Sequence, residues 1–132
     1  MGMETLEETR AFFANDRFAT QTGAVIEEIG DHYAKCSICL EEKHLNGVGA
    51  VMGGVYFTLA DFAFAVAANW QKVGVVSLSS NITYLQAIHG KKMIAEARSV
   101  KEGKTTCYYQ VDISDELGNH VAAVTMTGYR KG

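Results

Sequence analysis

From Gly53 to Trp70 only Thr58, Asp61 and Asn69 are clearly polar, while Val55, Leu59, Phe62, Val66 and Trp70 recur at spacings of three and four. That is the helical period, and Tyr56, Ala60, Ala63, Phe64 and Ala67 add a second stripe on the adjoining face. A helix apolar most of the way round is buried, so the rest of the chain must wrap it. The segment is short for a membrane span, carries a carboxylate in its middle and has no Lys/Arg cluster at either end, so no membrane role is expected.

The remaining pattern predicts one helical segment and about six strands. Within a helical segment over 1–21, Met3–Phe18 opens with acidic side chains and ends with Arg17 after the Phe12-Phe13 pair, which suits an amphipathic helix laid on the body by its Phe face; a second short piece covers Asp16 to Gln21, up to the break at Gly23. Ala24–Ile29 and His32–Glu42 read as strands joined at Gly30-Asp31. In the second, Ala34, Cys36, Ile38 and Leu40 alternate with Tyr33, Lys35, Ser37 and Cys39. After the central helix come Val75–Ile88, Lys92–Lys101, Thr105–Ser114 and Val121–Tyr129, the last two junctions marked by Glu102-Gly103 and Leu117-Gly118-Asn119. No helices alternate with the later strands. The expected fold is therefore α+β, a single domain over 1–132 with a mostly antiparallel sheet curled around one long helix. Long alternating strands without a proline anywhere leave edges that a second subunit would protect.

Charge narrows the classes. With a net charge of −3 the chain is not built to neutralise nucleic-acid phosphates. Residues 91–132 are nonetheless locally basic (Lys91, Lys92, Arg98, Lys101, Lys104, Arg130 and Lys131), which suits a phosphorylated small molecule as well as it suits solvated strand edges. Three cysteines, with no signal-peptide pattern, point to free thiols and the cytoplasm. Cys36-Ser37-Ile38-Cys39 has C-x-x-C spacing, but strand alternation sends the two thiols to opposite faces and no second ligand pair follows, so neither a metal nor a redox role is expected. No cofactor is implied: P-loop and dinucleotide fingerprints are absent. His32, His44, His89 and His120 fall near strand ends, where surface positions are the expectation, and no serine-hydrolase motif occurs.

Chemistry then rests on two places in the central helix. Asp61 has Phe57, Thr58, Phe64 and Ala65 one turn away, none a cation, and lies roughly 12 Å beyond Gly53 at 1.5 Å per residue, too deep to cap the helix. Either it occupies a narrow exposed strip or is satisfied by a distant Lys or backbone amide, or it is a catalytic carboxylate whose pKa is lifted by burial. At the helix start, Met52-Gly53-Gly54 exposes backbone N–H groups that can hold an anion or oxyanion.

Leu45-Asn46-Gly47, Met52-Gly53-Gly54, Leu59-Ala60-Asp61 and Ala63-Phe64-Ala65 together resemble the hotdog-fold acyl-CoA thioesterases, closest to the PaaI-like, phenylacetyl-CoA thioesterase branch. The similarity continues through Val76-Ser77, Asn81-Ile82-Thr83-Tyr84-Leu85, Glu102-Gly103-Lys104-Thr105 and Gly128-Tyr129-Arg130. The resemblance implies a homodimer with edge-paired sheets, usually a homotetramer, with active sites at the dimer interface and an acyl-CoA as substrate. It assigns Gly53 as the backbone donor to the thioester carbonyl and Asp61, from the other chain, as base or nucleophile. Asn46 would orient substrate or water. Gly54, Met52, Ser77, Tyr84, Lys101, Lys104 and Arg130 would lie on the substrate side. Met52 departs from the pattern, since many relatives carry His there and a thioether neither donates a hydrogen bond nor moves a proton; His44 is a weak substitute by proximity. Two further readings stand beside hydrolysis: a non-catalytic acyl-CoA-binding module, which Met52 favours, and a hotdog dehydratase, whose acid/base His finds no match.

Overall fold

The computed structural model describes residues 2–131. Helices α1 (Leu6–Phe13) and α2 (Arg17–Gln21) lead into strands β1 (Val25–Gly30) and β2 (Tyr33–Cys39), and a 3₁₀ turn at Glu42–His44 precedes helix α3 (Gly53–Asn69). Strands β3 (Val75–Tyr84), β4 (Lys92–Glu102), β5 (Thr106–Asp115) and β6 (His120–Arg130) complete one antiparallel sheet in the order β1-β2-β4-β5-β6-β3. The sheet wraps α3, which packs mainly on β4 and β2.

Small residues make that wrapping possible. Ala34 pairs with Ala97 and Cys36 with Ala95 on the strands beneath the helix, and Ala60, Ala63 and Ala67 face back from α3, so the two backbones approach closely. Leu59 and Val66 from the helix, with Ile38, Met93, Val111, Ile113, Val124 and Met126 from the sheet, fill the space on either side and are fully buried. The helix end is tied to the sheet by polar groups: Asn69 accepts from the Gly74 and Val75 N–H groups at 2.9 and 2.8 Å, and Arg130 donates to the carbonyls of Lys72 and Ala68 at 2.8 and 3.2 Å. That satisfies carbonyls left open at the C-terminal end of α3. Among the described residues, no helix is long and apolar enough to cross a membrane.

Several expected boundaries move, each for a local reason. The N-terminal helix stops at Phe13, with Thr5 capping its start through a bond from the Glu8 N–H at 3.1 Å; Phe13 is buried and Phe12 half-exposed. The β1–β2 turn falls at Asp31-His32 rather than Gly30-Asp31, because β1 pairs through Gly30 and His32 takes φ of 49°. The second strand ends at Cys39, where the chain turns into the 3₁₀ segment. Cys36 is buried and Cys39 exposed, as alternation requires. His44 is a correction: it is 1% exposed, its Nδ1 accepting from the Glu41 N–H at 2.9 Å and its Nε2 bonding the Thr22 carbonyl at 2.6 Å. The imidazole is a structural bolt under the loop, so it cannot stand in for a histidine at position 52.

The third strand ends at Tyr84, not Ile88, because the backbone of 89–92 is claimed elsewhere. Asp115 accepts from the N–H groups of His89, Gly90, Leu117 and Asn119 and from the Asn119 amide, while Glu116 accepts from Lys91 and Lys92. The Asn119 side chain above all, then these backbone donors, hold the Asp115 carboxyl well below the usual carboxylate range. A carboxylate with a depressed folded-state pKa stabilises the fold above its unfolded value and loses that contribution as pH falls through the folded one. Asp115→Ala is therefore expected to lower Tm at neutral pH and to remove part of the wild-type loss of Tm below about pH 4, which thermal melts across pH will show.

Candidate active site

Helix α3 begins without a side-chain cap, since Met52 offers none, and the preceding loop is closed by Asn46. The Asn46 Oδ1 accepts from the N–H groups of Val48 and Ala50, both at 3.0 Å, and its backbone exchanges bonds with Gly49 and Ala50. Its side-chain oxygen thus shapes the loop that presents the helix start, a role that asparagine before glycine suits. Val55 N–H already reaches the Met52 carbonyl at 3.0 Å, whereas no acceptor contacts the Gly53 or Gly54 N–H among the described residues. Gly53, at the very start of the helix, lines a cavity of about 780 Å³. Leu45, Val51, Tyr56, Tyr84, Leu85 and Ile88 give it apolar walls, with Glu41, Glu42 and Lys91 also lining it.

Tyr84 meets Gly53 directly. Its hydroxyl donates to the Gly53 carbonyl at 2.9 Å, and its ring stands edge-on to Tyr56 with centroids 5.3 Å apart. A Cβ at position 53 would lie 2.9 Å from that hydroxyl, so glycine allows this close approach, and a larger residue would displace the Tyr84 contact. Gly54 has open space on its side-chain face.

Asp61 lies elsewhere. Beyond the first turn, Phe57, Thr58, Asp61 and Ala65 form the stripe of α3 that is not buried within the chain, continuing from Gly54, and Asp61 opens into a separate groove of about 460 Å³ with Asp16, Arg17, Phe18 and Thr58. No ion pair or hydrogen bond engages the Asp61 carboxylate among the described residues. Burial, and secondarily the charge of Asp16, pushes its pKa up. Asp16 was not singled out by sequence. It is the N-cap residue of α2, yet its side chain makes no capping bond, and burial raises its pKa too. The visible signal was only an acidic residue before a short helix.

The other expected contacts separate. Ser77 is exposed near the start of β3, paired with Gly128. Lys101 and Lys104 stand at the β4–β5 end of the sheet, away from the cavity-lining Lys91 by the length of β4, about 30 Å at 3.3 Å per residue. Arg130 is committed to the carbonyls at the far end of α3. The structure brings Gly53, Gly54, Met52, Tyr84 and the Asn46 loop together, with Lys91 on the same cavity, and leaves Asp61, Ser77, Lys101, Lys104 and Arg130 apart within one chain.

A six-stranded antiparallel sheet wrapped on a single buried helix, with glycine amides at the helix start, defines a hotdog-fold protein. Residues 48–122 match the Thioesterase superfamily, and the chain belongs to that family. It is 33% identical over 119 residues to a protein of Archaeoglobus fulgidus described as an esterase, covering 89% of this chain and 77% of the other. It is 29% identical to the acyl-coenzyme A thioesterase PaaI of Escherichia coli, over the whole of this chain and 95% of that one. The solved structure of E. coli PaaI superposes with a TM-score of 0.87 across 97% of both chains. A Streptococcus pneumoniae thioesterase structure containing coenzyme A, 28% identical, superposes at 0.82 over 91% of this chain and 97% of the other.

Proposed function

We propose that the protein hydrolyses an acyl-CoA thioester at sites shared between two copies of the chain, with Gly53 of one and Asp61 of the other acting on the same carbonyl. The observation that carries this reading is the separation of the two groups into different cavities of one chain, roughly 12 Å apart along α3. A reacting carbonyl must lie about 3 Å from its oxyanion donor and close to its attacker. The uncovered face of the chain supports a partner: β3 is an edge strand exposed along most of its length, with Leu78 at 60%, beside the open stripe of α3. Pairing β3 with a second copy extends the sheet and covers that stripe.

In this reading the Gly53 amide receives the carbonyl oxygen as it gains negative charge. Asp61, ionised, removes a proton from water; the hydroxide adds to the carbonyl carbon, the carbon–sulfur bond breaks, and the thiolate takes the proton back from Asp61. Direct attack by Asp61, giving a mixed anhydride that water then cleaves, uses the same geometry. The apolar chamber beside Gly53 suits the acyl group, aryl-acetyl or medium-chain. Lys91, Lys101, Lys104 and Lys131 are the candidates for CoA phosphates, since Lys92 is paired with Glu27 at 3.0 Å and the Arg130 guanidinium is engaged by two carbonyls. Ser77 and Asn46 are retained as water- or substrate-holding positions only through the family match.

Release of thiol from a panel of acyl-CoAs, read with a thiol reagent, tests the reading. The expected result is turnover with at least one aryl-acetyl or medium-chain substrate and a KM that rises with ionic strength, as phosphate contacts are screened. Tight binding without turnover across the panel would instead assign a non-catalytic acyl-CoA-binding module, the role that the half-exposed Met52 in place of a proton-moving residue favours.

A further inference from the structure

We infer that Tyr84 is a positioning residue of the oxyanion site: its hydroxyl orients the Gly53–Gly54 peptide so that the Gly54 N–H joins the Gly53 N–H in holding the thioester oxygen. This rests on the acyl-CoA hydrolase reading above.

The carbonyl that Tyr84 engages belongs to the same peptide unit as the Gly54 N–H. A donor on a peptide oxygen polarises the unit and strengthens its N–H as a donor. It adds a second hold on a unit whose carbonyl also faces the Phe57 N–H in the helical ladder and which has no side chain on either flank. The anchor is stiff. Tyr84 closes β3 opposite Ala122, the next residue bonds the Val121 carbonyl at 2.8 Å, and the ring is braced edge-on by the buried Tyr56 of α3 itself. Position 53 cannot hold a larger residue without moving this hydroxyl, which makes the glycine and the tyrosine one unit. At 51% exposure, Tyr84 is not needed to fill the core, and among the described residues its hydroxyl bonds only the helix start.

Tyr84→Phe keeps the ring against Tyr56 and deletes only the donor. The expected result is a fall in kcat of about 3- to 10-fold, the worth of one hydrogen bond expressed in the transition state, by the same factor for every active acyl-CoA and with KM and Tm unchanged. A uniform kcat effect is what orientation of the oxyanion donor produces, since every substrate places the same oxygen there. Wild-type kcat in the variant would overturn the inference. So would a loss confined to KM or graded by acyl size, because Tyr84 would then be a wall of the acyl chamber, and so would a drop in Tm sufficient to account for the lost turnover. An inactive wild-type protein would refute the hydrolase reading itself, whereas an active wild type with an unaffected Tyr84→Phe refutes only the role of Tyr84.

Discussion

Asp61→Asn is expected to lower kcat for thioester hydrolysis by about 10²-fold or more while leaving the protein folded and assembled. Asn matches the carboxylate in size but can neither accept the proton of water nor attack a carbonyl. Stability supplies the control. A carboxylate paired with a buried cation would cost on the order of 3–5 kcal/mol on neutralisation, because the partner charge is left behind. Asp61 has no such partner among the described residues, and burial together with Asp16 raises its pKa. A raised folded-state pKa means that ionisation at neutral pH disfavours the folded chain, so Asn should leave Tm unchanged or slightly higher. Kinetics and melts on one preparation decide the matter: near-normal turnover with a large fall in Tm would make Asp61 a structural residue. The same shift places the acidic limb of kcat/KM above the ordinary aspartate value of about 3.9, and Asp61→Asn should abolish that limb.

Gly53→Pro removes the other half of the proposed chemistry and is expected to cost about 10²- to 10³-fold in kcat, the range for loss of an oxyanion donor. Proline is tolerated at the first helical position, where the N–H has no helical partner, and Met52 already has the extended φ of −63° and ψ of 139° that a residue before proline adopts. Proline also displaces the Tyr84 hydroxyl, so the loss is compared with that of Tyr84→Phe, and the part in excess of it belongs to the missing N–H. Combined with Asp61→Asn, this variant tests whether sites are shared. Mixed dimers of the two inactive chains contain one site with an intact Gly53 and an intact Asp61, so random reassortment should restore about a quarter of wild-type activity. No restoration in verified mixed dimers would mean that each chain supplies both groups to its own site, and the shared-site reading would fall. The same samples report assembly by sedimentation, where a species of monomer mass alone would remove its basis.

The central helix was legible from the chain because it reads the same locally and globally. An apolar run with two stripes at helical spacing has only one way to be buried, and α3 starts at Gly53 and ends one residue before Trp70. Strand alternation placed Ala34, Cys36 and Ile38 inside and the C-x-x-C thiols on opposite faces, since the side-chain period of a strand is two regardless of its neighbours. Asp61 was conspicuous for a related reason: no local partner could explain it. Where strands stop was not legible. Val75–Ile88 alternates throughout, but the backbone of 89–92 is taken by Asp115 and Glu116, more than twenty residues away. The same holds for His44, whose burial depends on a carbonyl at Thr22, and for Arg130, a locally basic residue recruited to the end of α3. The Tyr84 bond to Gly53 spans 31 positions and exists only because β3 runs back along the start of the helix. Period and propensity are properties of adjacent residues. Which polar group answers which, and hence which residues are left free for chemistry, is decided by the tertiary packing.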